Sequence, residues 1–409
     1  MTGRRAGPDR SGGAADYEGA LTGSSGDRGF GPRSAEDRYC VYTGGTTGMP
    51  KGVLWRSEDI FFAAMGGGDA FQTGDVVTAP EQLAERVGRP WMTALATPPF
   101  MHASAHWLAF STLFGGGKIV TLPGGRFDPA EVWRLVEAEG VNVLVVVGDA
   151  MARPLLAELE ARPGAHELGS LLAVGSGGAV LSPSTKVQLA EALPGRMVVD
   201  VFGSSETGQV GGRPPVDDPY GAPRLSVDAR TDVLDGELRP VVPGSGVVGR
   251  LARAGHVPVG YLGDEAKSAA TFVEHAGRRW ALPGDLASVE ADGTIVVHGR
   301  GSLSINTGGE KVFPDEVEGA LKSHPDVLDA VVVGVPDERF GEKVVAVVEA
   351  RPGRTVEAVR LREHCRGLLA GYKIPREVVL TEEVVRSPSG KADYPWARAT
   401  ALAALGDGT

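Results

Sequence analysis

The sequence predicts an α/β fold: a large unit built on a mainly parallel sheet, followed by a small α+β unit. Three observations carry this. Apolar β-branched runs alternate with amphipathic helical stretches, the mark of strands covered by helices. The run Val143 to Val147 is unbroken, as in a strand buried on both faces. Beyond Gly299-Arg300-Gly301-Ser302 the pattern shortens and mixes, with a helix opened by Pro314 set before two Val-rich strands.

Taken in order, residues 1 to 38 are rich in Gly, Ser, Asp and Arg with little apolar periodicity, which predicts a mobile tail. Order is expected to begin at Arg38-Tyr39-Cys40-Val41-Tyr42, a β-like run ending in a Gly/Thr loop. Asp128-Pro129 reads as N-cap and first helical residue, Val132, Trp133, Leu135 and Val136 as one apolar face, and Gly140 as the stop. Leu171 to Val174 and Val198 to Phe202 read as further strands of the Val143 to Val147 kind. The second unit holds the helix from Pro314, the strands Val331 to Val335 and Val344 to Val348, and a helix around 355–370. The expected divisions are 1–38, 39–299 and 300–409.

Composition narrows the function. Of 409 residues 42% are hydrophobic, enough for a sizeable core, and the net charge of −11 excludes a general nucleic-acid surface. Cys40 and Cys365 have no CxxC spacing, which fits a reducing cytoplasm and gives no zinc framework. No apolar run approaches a membrane span or a secretory leader. Lysine is scarce, nine against 32 arginines, so a lysine in a glycine-rich loop stands out.

Such a loop exists. Tyr42-Thr43-Gly44-Gly45-Thr46-Thr47-Gly48-Met49-Pro50-Lys51-Gly52 combines small residues that let backbone approach an anion, hydroxyls that bond it, and a lysine that neutralises it. The spacing is not that of a Walker A loop. The string resembles the phosphate loop of the adenylate-forming superfamily, which includes acyl-CoA synthetases, luciferases and peptide-synthetase adenylation domains. Further motifs follow in the family's order. Gly175-Ser176-Gly177-Gly178-Ala179 resembles the adenine segment, and Phe202-Gly203-Ser204-Ser205-Glu206-Thr207 the motif whose Glu holds Mg²⁺. Pro283-Gly284-Asp285 resembles the ribose-binding segment, and Gly299-Arg300 the interdomain hinge. Gly308-Gly309-Glu310-Lys311 resembles the loop facing the CoA channel, and Arg386 to Lys391 the motif with the catalytic Lys. The wording around Gly299 to Pro314 looks most like bacterial fatty-acyl and steroid-acyl CoA ligases.

The resemblance implies an ATP-binding adenylation domain over 39–299 and a mobile C-terminal lid over 300–409. It implies ATP, Mg²⁺ and CoA as co-substrates and cofactor, with a small-molecule acid as partner and neither nucleic acid nor membrane. Thr43, Gly44, Gly45, Thr46, Thr47, Gly48 and Lys51 would grip phosphates, and Thr46 would also assist catalysis. Ser176, Gly177, Gly178 and Ala179, with Phe202, Gly203, Ser204, Ser205 and Thr207, would line the nucleotide site. Asp285 would take the ribose hydroxyls, with Arg300 beside it. Glu206 would hold the metal, Lys391 would reach the reacting α-phosphate, and His102 would gate the acid pocket. Trp107 and Phe110 read as core, and Ser302 as a small hinge residue without chemistry.

Family members usually carry a further subdomain before the phosphate loop, where this sequence has about forty residues. Its absence predicts exposed apolar surface covered by a second copy or another partner, and a small or open acid pocket. Acyl-CoA ligation is the first reading. An ATP-dependent diazotase that activates nitrite for an aryl amine, and a non-catalytic nucleotide-binding homologue, are the alternatives.

Overall fold

A computed structural model describes residues 16–27, 29–43, 50–68, 77–88, 91–123, 127–213, 224–387 and 390–406. They fall into two compact units, residues 1–34 and 35–409. In the first, Asp16 accepts from the Gly19 amide at 2.7 Å and caps the short helix Tyr17–Thr22, none of whose residues is buried.

In the second unit the helix Pro129–Glu139 forms as its punctuation predicts. Asp128 caps it by accepting from the Ala130 amide at 3.0 Å, and Gly140 ends it with φ of 63°, a left-handed conformation a β-carbon would resist. Its apolar face buries Val132, Trp133, Leu135 and Val136, and the Trp133 indole N–H donates to the Leu155 carbonyl at 3.0 Å, so the large ring costs no unpaired donor.

That helix covers one half of a large mixed sheet. Strands Thr93–Ala96, Lys118–Thr121, Val143–Val146, Ala173–Gly177 and Met197–Ser204 run parallel to their neighbours. From Met197–Ser204 onward the sheet continues antiparallel through Gly208–Arg213, Arg224–Val227, Ile295–Arg300, Asp285–Val289, Gly249–Ala254, Arg278–Ala281 and Phe272–His275. The parallel character is thus confined to one half, because hairpins built on short turns take over after Ser204. The strand expected at Leu171 to Val174 starts two residues later. The one around Val198 to Phe202 is not buried on both faces: Met197 is 62% and Val199 40% exposed.

A separate antiparallel sheet joins Arg38–Thr43, Lys51–Arg56 and Gly260–Tyr261. Its first hairpin pairs Thr43 with Lys51.

The C-terminal part is the small α+β layer expected. The strands Ile305–Thr307, Glu310–Val312, Val327–Asp337, Gly341–Ala350 and Glu377–Thr381 form one sheet. The helices Pro314–Lys322 and Ala358–Arg366 cover one face and Tyr394–Leu405 the other. Val331, Val345 and Val347 face the second, and Val332, Ala346 and Val348 the first, as the two-residue period of a strand requires. No helix among the described residues is long and apolar enough to cross a membrane.

Candidate active site

The turn after Met197–Ser204 brings the first charge. Ser204 and Thr207 close it, with the Thr207 hydroxyl accepting from the Ser204 amide at 3.0 Å. Trp55 anchors it from the neighbouring sheet by donating its indole N–H to the Ser205 carbonyl at 3.0 Å. Glu206 is thereby held buried, 7% exposed, and its Oε1 accepts from the Tyr261 hydroxyl at 3.0 Å. Burial and the Glu206 charge together push the Tyr261 phenol well up, so it stays a neutral donor. The other oxygen, Oε2, is buried and unpartnered among the described residues. A buried carboxylate oxygen without a donor is costly unless a cation or donor arrives.

The second pair comes from sheet register. Asp285 and Arg300 stand opposite one another on adjacent antiparallel strands, with Arg300 Nε 3.6 Å from Asp285 Oδ1. Gly284, at φ of 103°, turns the chain into that strand, and its carbonyl accepts from the Gly301 amide at 3.1 Å.

The third group is Lys391, in a tight turn where the Ser387 carbonyl accepts from the Gly390 amide at 2.8 Å. Burial holds the Lys391 amine below the usual lysine range, the Arg300 charge adds to that, and Glu206 works against it. His102, at the start of helix Ala103–Phe114, is held below the usual range by burial and by the Lys391 charge, so its imidazole is neutral near pH 7.

Ser204, Asp285, Arg300 and Lys391 meet around a cavity of about 500 Å³, whereas Glu206 and His102 are not among the residues that line it. Of the residues singled out in the sequence, Gly178, Ala179, Phe202, Gly203, Ser204, Asp285, Arg300, Lys311 and Lys391 line it. Others serve the frame. Ser176 accepts from the Gly148 amide at 3.0 Å and ties its strand to the start of the preceding helix Gly148–Ala161, with Gly177 closing that strand. Gly308 and Gly309, at φ of 61° and 90°, form the two-residue turn between Ile305–Thr307 and Glu310–Val312, in the segment that resembles the loop facing the CoA channel. Glu310 is exposed there. Lys51 is paired with Asp264 at 2.6 Å and lies over the Tyr261 ring. Thr43 ends its strand, and Gly44, Gly45, Thr46, Thr47 and Gly48 lie outside the described residues. Trp107 is core, 7% exposed, with Phe110 packed beside it.

Sequence reasoning missed Tyr261, Asp264 and Asp149. Tyr261 reaches Glu206 only because the two-residue strand Gly260–Tyr261 pairs with Val53 and Leu54, a contact no local period announces. Asp149 sits in the first turn of a helix, where an acidic residue is ordinary.

The family model for AMP-binding enzyme matches residues 16–262, and that for the AMP-binding enzyme C-terminal domain matches 316–391. The chain is 49% identical over 395 residues to the 3-oxocholest-4-en-26-oate–CoA ligase of Rhodococcus rhodochrous, covering 94% of this chain and 70% of that one. The chain belongs to the AMP-binding enzyme family. This adenylate-forming enzyme is an AMP-forming ligase of the acyl-CoA synthetase type. It is also 48% identical to the medium/long-chain-fatty-acid–CoA/3-oxocholest-4-en-26-oate–CoA ligase of Mycolicibacterium smegmatis, covering 94% of this chain and 71% of that one. Among solved structures, ATP-bound MatB from Rhodopseudomonas palustris is similar with a TM-score of 0.75 and 26% identity, covering 94% and 72% of the two chains.

Proposed function

We propose that this adenylate-forming ligase activates a hydrophobic carboxylic acid, a steroid side-chain acid or a medium to long fatty acid, and passes the acyl group to CoA. The observation that carries the residue roles is the convergence of Lys391, Arg300, Asp285 and the Ser204 turn on one cavity. The choice of acid rests on the relatives, whose names specify those acids.

In the first half-reaction a carboxylate oxygen attacks the α-phosphate of ATP and pyrophosphate leaves. Negative charge grows on the phosphorus oxygens, and the protein's task is to position and neutralise it. Lys391 supplies a point charge there, and Arg300 a second cation on the ribose side. Asp285 accepts from the ribose hydroxyls. Glu206 fits Mg²⁺: a single carboxylate with one free, buried oxygen suits an ion that takes most of its ligands from water and phosphate. Mg²⁺ would supply charge neutralisation on the phosphates. Gly178 and Ala179 provide a wall without side-chain bulk for the base. His102, kept neutral by burial and by the Lys391 charge, would gate the acid without adding a competing charge. Lys311, which lines the cavity just after the Gly308-Gly309 turn, would serve the CoA step.

The test is ATP-dependent pyrophosphate release across steroid, long, medium, short and aromatic acids, with and without CoA, and with nitrite plus an aryl amine. Release with a steroid or fatty acid, followed by CoA-dependent thioester, is the expected result. Release only with nitrite would replace the reading with a diazotase. Nucleotide binding without release on any acid would end it.

A further inference from the structure

Two residues of the cavity lining, Asp149 and Lys322, belong with Arg153 to a cluster of charges that the reaction as derived does not use. Asp149 and Arg153, four residues apart on the helix Gly148–Ala161, are 3% and 4% exposed. Facing them is Lys322, the last residue of the helix Pro314–Lys322, also 3% exposed. Lys322 Nζ stands 3.1 Å from Asp149 Oδ2. The other oxygen, Asp149 Oδ1, accepts from the Ser182 amide at 2.8 Å, at the end of the segment carrying Gly178 and Ala179. Arg153 donates to the Lys322 carbonyl at 2.9 Å and to the Leu328 carbonyl. Each bond from Arg153 therefore crosses from the large half of the chain to the C-terminal layer.

The same layer grips the Lys391 turn from within. Arg386 makes a two-pronged contact with Asp329 at 2.6 and 2.8 Å and donates its remaining arm to the Gly390 carbonyl at 3.0 Å. Gly390 sits against the helix that bears Asp149. A β-carbon there would lie 3.3 Å from Ala150 Cβ and 3.5 Å from the Val147 carbonyl oxygen, and its φ is 76°. Lys391 therefore enters the cavity from a turn seated on the first residues of the Asp149 helix.

Three buried charges at one seam are expensive to desolvate, and an ion pair of this kind adds little net stability over an apolar contact of similar shape. What it does add is a defined relative placement, since one charge left buried without its partner is strongly disfavoured.

We propose that Asp149, with Arg153 and Lys322, forms a clamp that docks the C-terminal layer so that Lys391 reaches the nucleotide site, with Asp149 tying that docking to the base-binding segment through Ser182. These are positioning residues. Their effect on catalysis rests on the function proposed above, whereas the docking itself does not.

The test is the rate at which an amine-acylating reagent labels individual lysines of the full chain, read by peptide mass spectrometry. Wild type is compared with Asp149→Asn, Lys322→Met and the double variant. Lys391 is the reporter. Lys186, paired with Asp200 at 2.8 Å within the large half, is the control. Each single variant is expected to speed labelling of Lys391 at least fivefold and leave Lys186 within twofold. The double variant should match either single one, because both act through one contact. Unchanged labelling of Lys391 would overturn the clamp, as would effects that multiply in the double variant. A parallel rise at Lys186 would also overturn it, since the cluster would then only hold the chain folded. Arg153→Gln, which leaves the Asp149–Lys322 pair in place, should give the same selective rise.

In activity, Asp149→Asn is expected to lower pyrophosphate release at least tenfold while CoA thioester formation from supplied acyl-adenylate falls less than threefold. Equal losses in both would overturn the positioning role. If wild type releases no pyrophosphate while the selective labelling is still seen, the proposed activity fails and the clamp stands.

Discussion

The two sides of the cavity are built in opposite ways. On the large half, Glu206 sits in the hairpin turn between Met197–Ser204 and Gly208–Arg213 and Asp285 starts a strand three places further along the same sheet, the two positioned by ladder register, by the Trp55 and Tyr261 hydrogen bonds, and by core packed on the sheet. On the C-terminal side, Lys391 sits on a short turn whose place depends on Arg386, on Gly390 against Ala150, and on the buried charges of Asp149, Arg153 and Lys322. The carboxylates belong to a frame; the lysine is docked onto it. A group held by register is displaced only by unfolding the strand, whereas a docked group depends on a handful of specific contacts. That division suits a reaction in which the nucleotide site stays fixed while the amine is delivered to it.

The largest effect should come from removing the docked charge. Lys391→Ala is expected to reduce adenylate formation by about 10² to 10³-fold or more while nucleotide binding, measured by equilibrium titration, stays within a few-fold. Turnover at the wild-type rate would remove Lys391 from the site. On the framed side, Asp285→Ala should raise KM for ATP by roughly tenfold to a hundredfold, the loss of one or two charged hydrogen bonds, with a smaller change in kcat. An effect on kcat alone would place Asp285 with the reacting atoms instead of the ribose.

The seam between the two regions also carries a proton. Glu318 is buried beside Lys322 and its carboxyl is raised to about 7, because burial, helped by the Asp315 charge, outweighs the downward pull of Lys322. The folded state therefore binds this proton over a window, from the ordinary carboxylate range to about pH 7, in which the unfolded chain has released it. The stability it contributes is fully present below that window and is lost as pH rises through it. Glu318→Gln should accordingly gain in Tm relative to wild type between about pH 4.5 and 7, with the gap constant above that. A gap independent of pH would mean that Glu318 titrates normally. The smallest effect is expected far from the seam: Asp128→Ala should cost about 1 kcal/mol in stability by denaturant melting and leave kcat untouched.

The alternation of strands and helices, the caps at Asp128 and Gly140, the Val-rich strands of the C-terminal layer and the order of the nucleotide motifs were legible in the sequence alone. These are local signals, because capping, period and turn chemistry act over a few residues, and a motif is legible wherever neighbours in sequence touch the same ligand. The register that sets Asp285 opposite Arg300 was not legible, nor was the switch from parallel to antiparallel after Ser204, the hydrogen bond from Tyr261 to Glu206, or the partner of Lys51. Asp149 and Lys322 are 173 residues apart, and each alone reads as an ordinary helix-end charge. Only packing of the C-terminal layer onto the helix Gly148–Ala161 buries both, and desolvation turns two unremarkable charges into a pair that must meet.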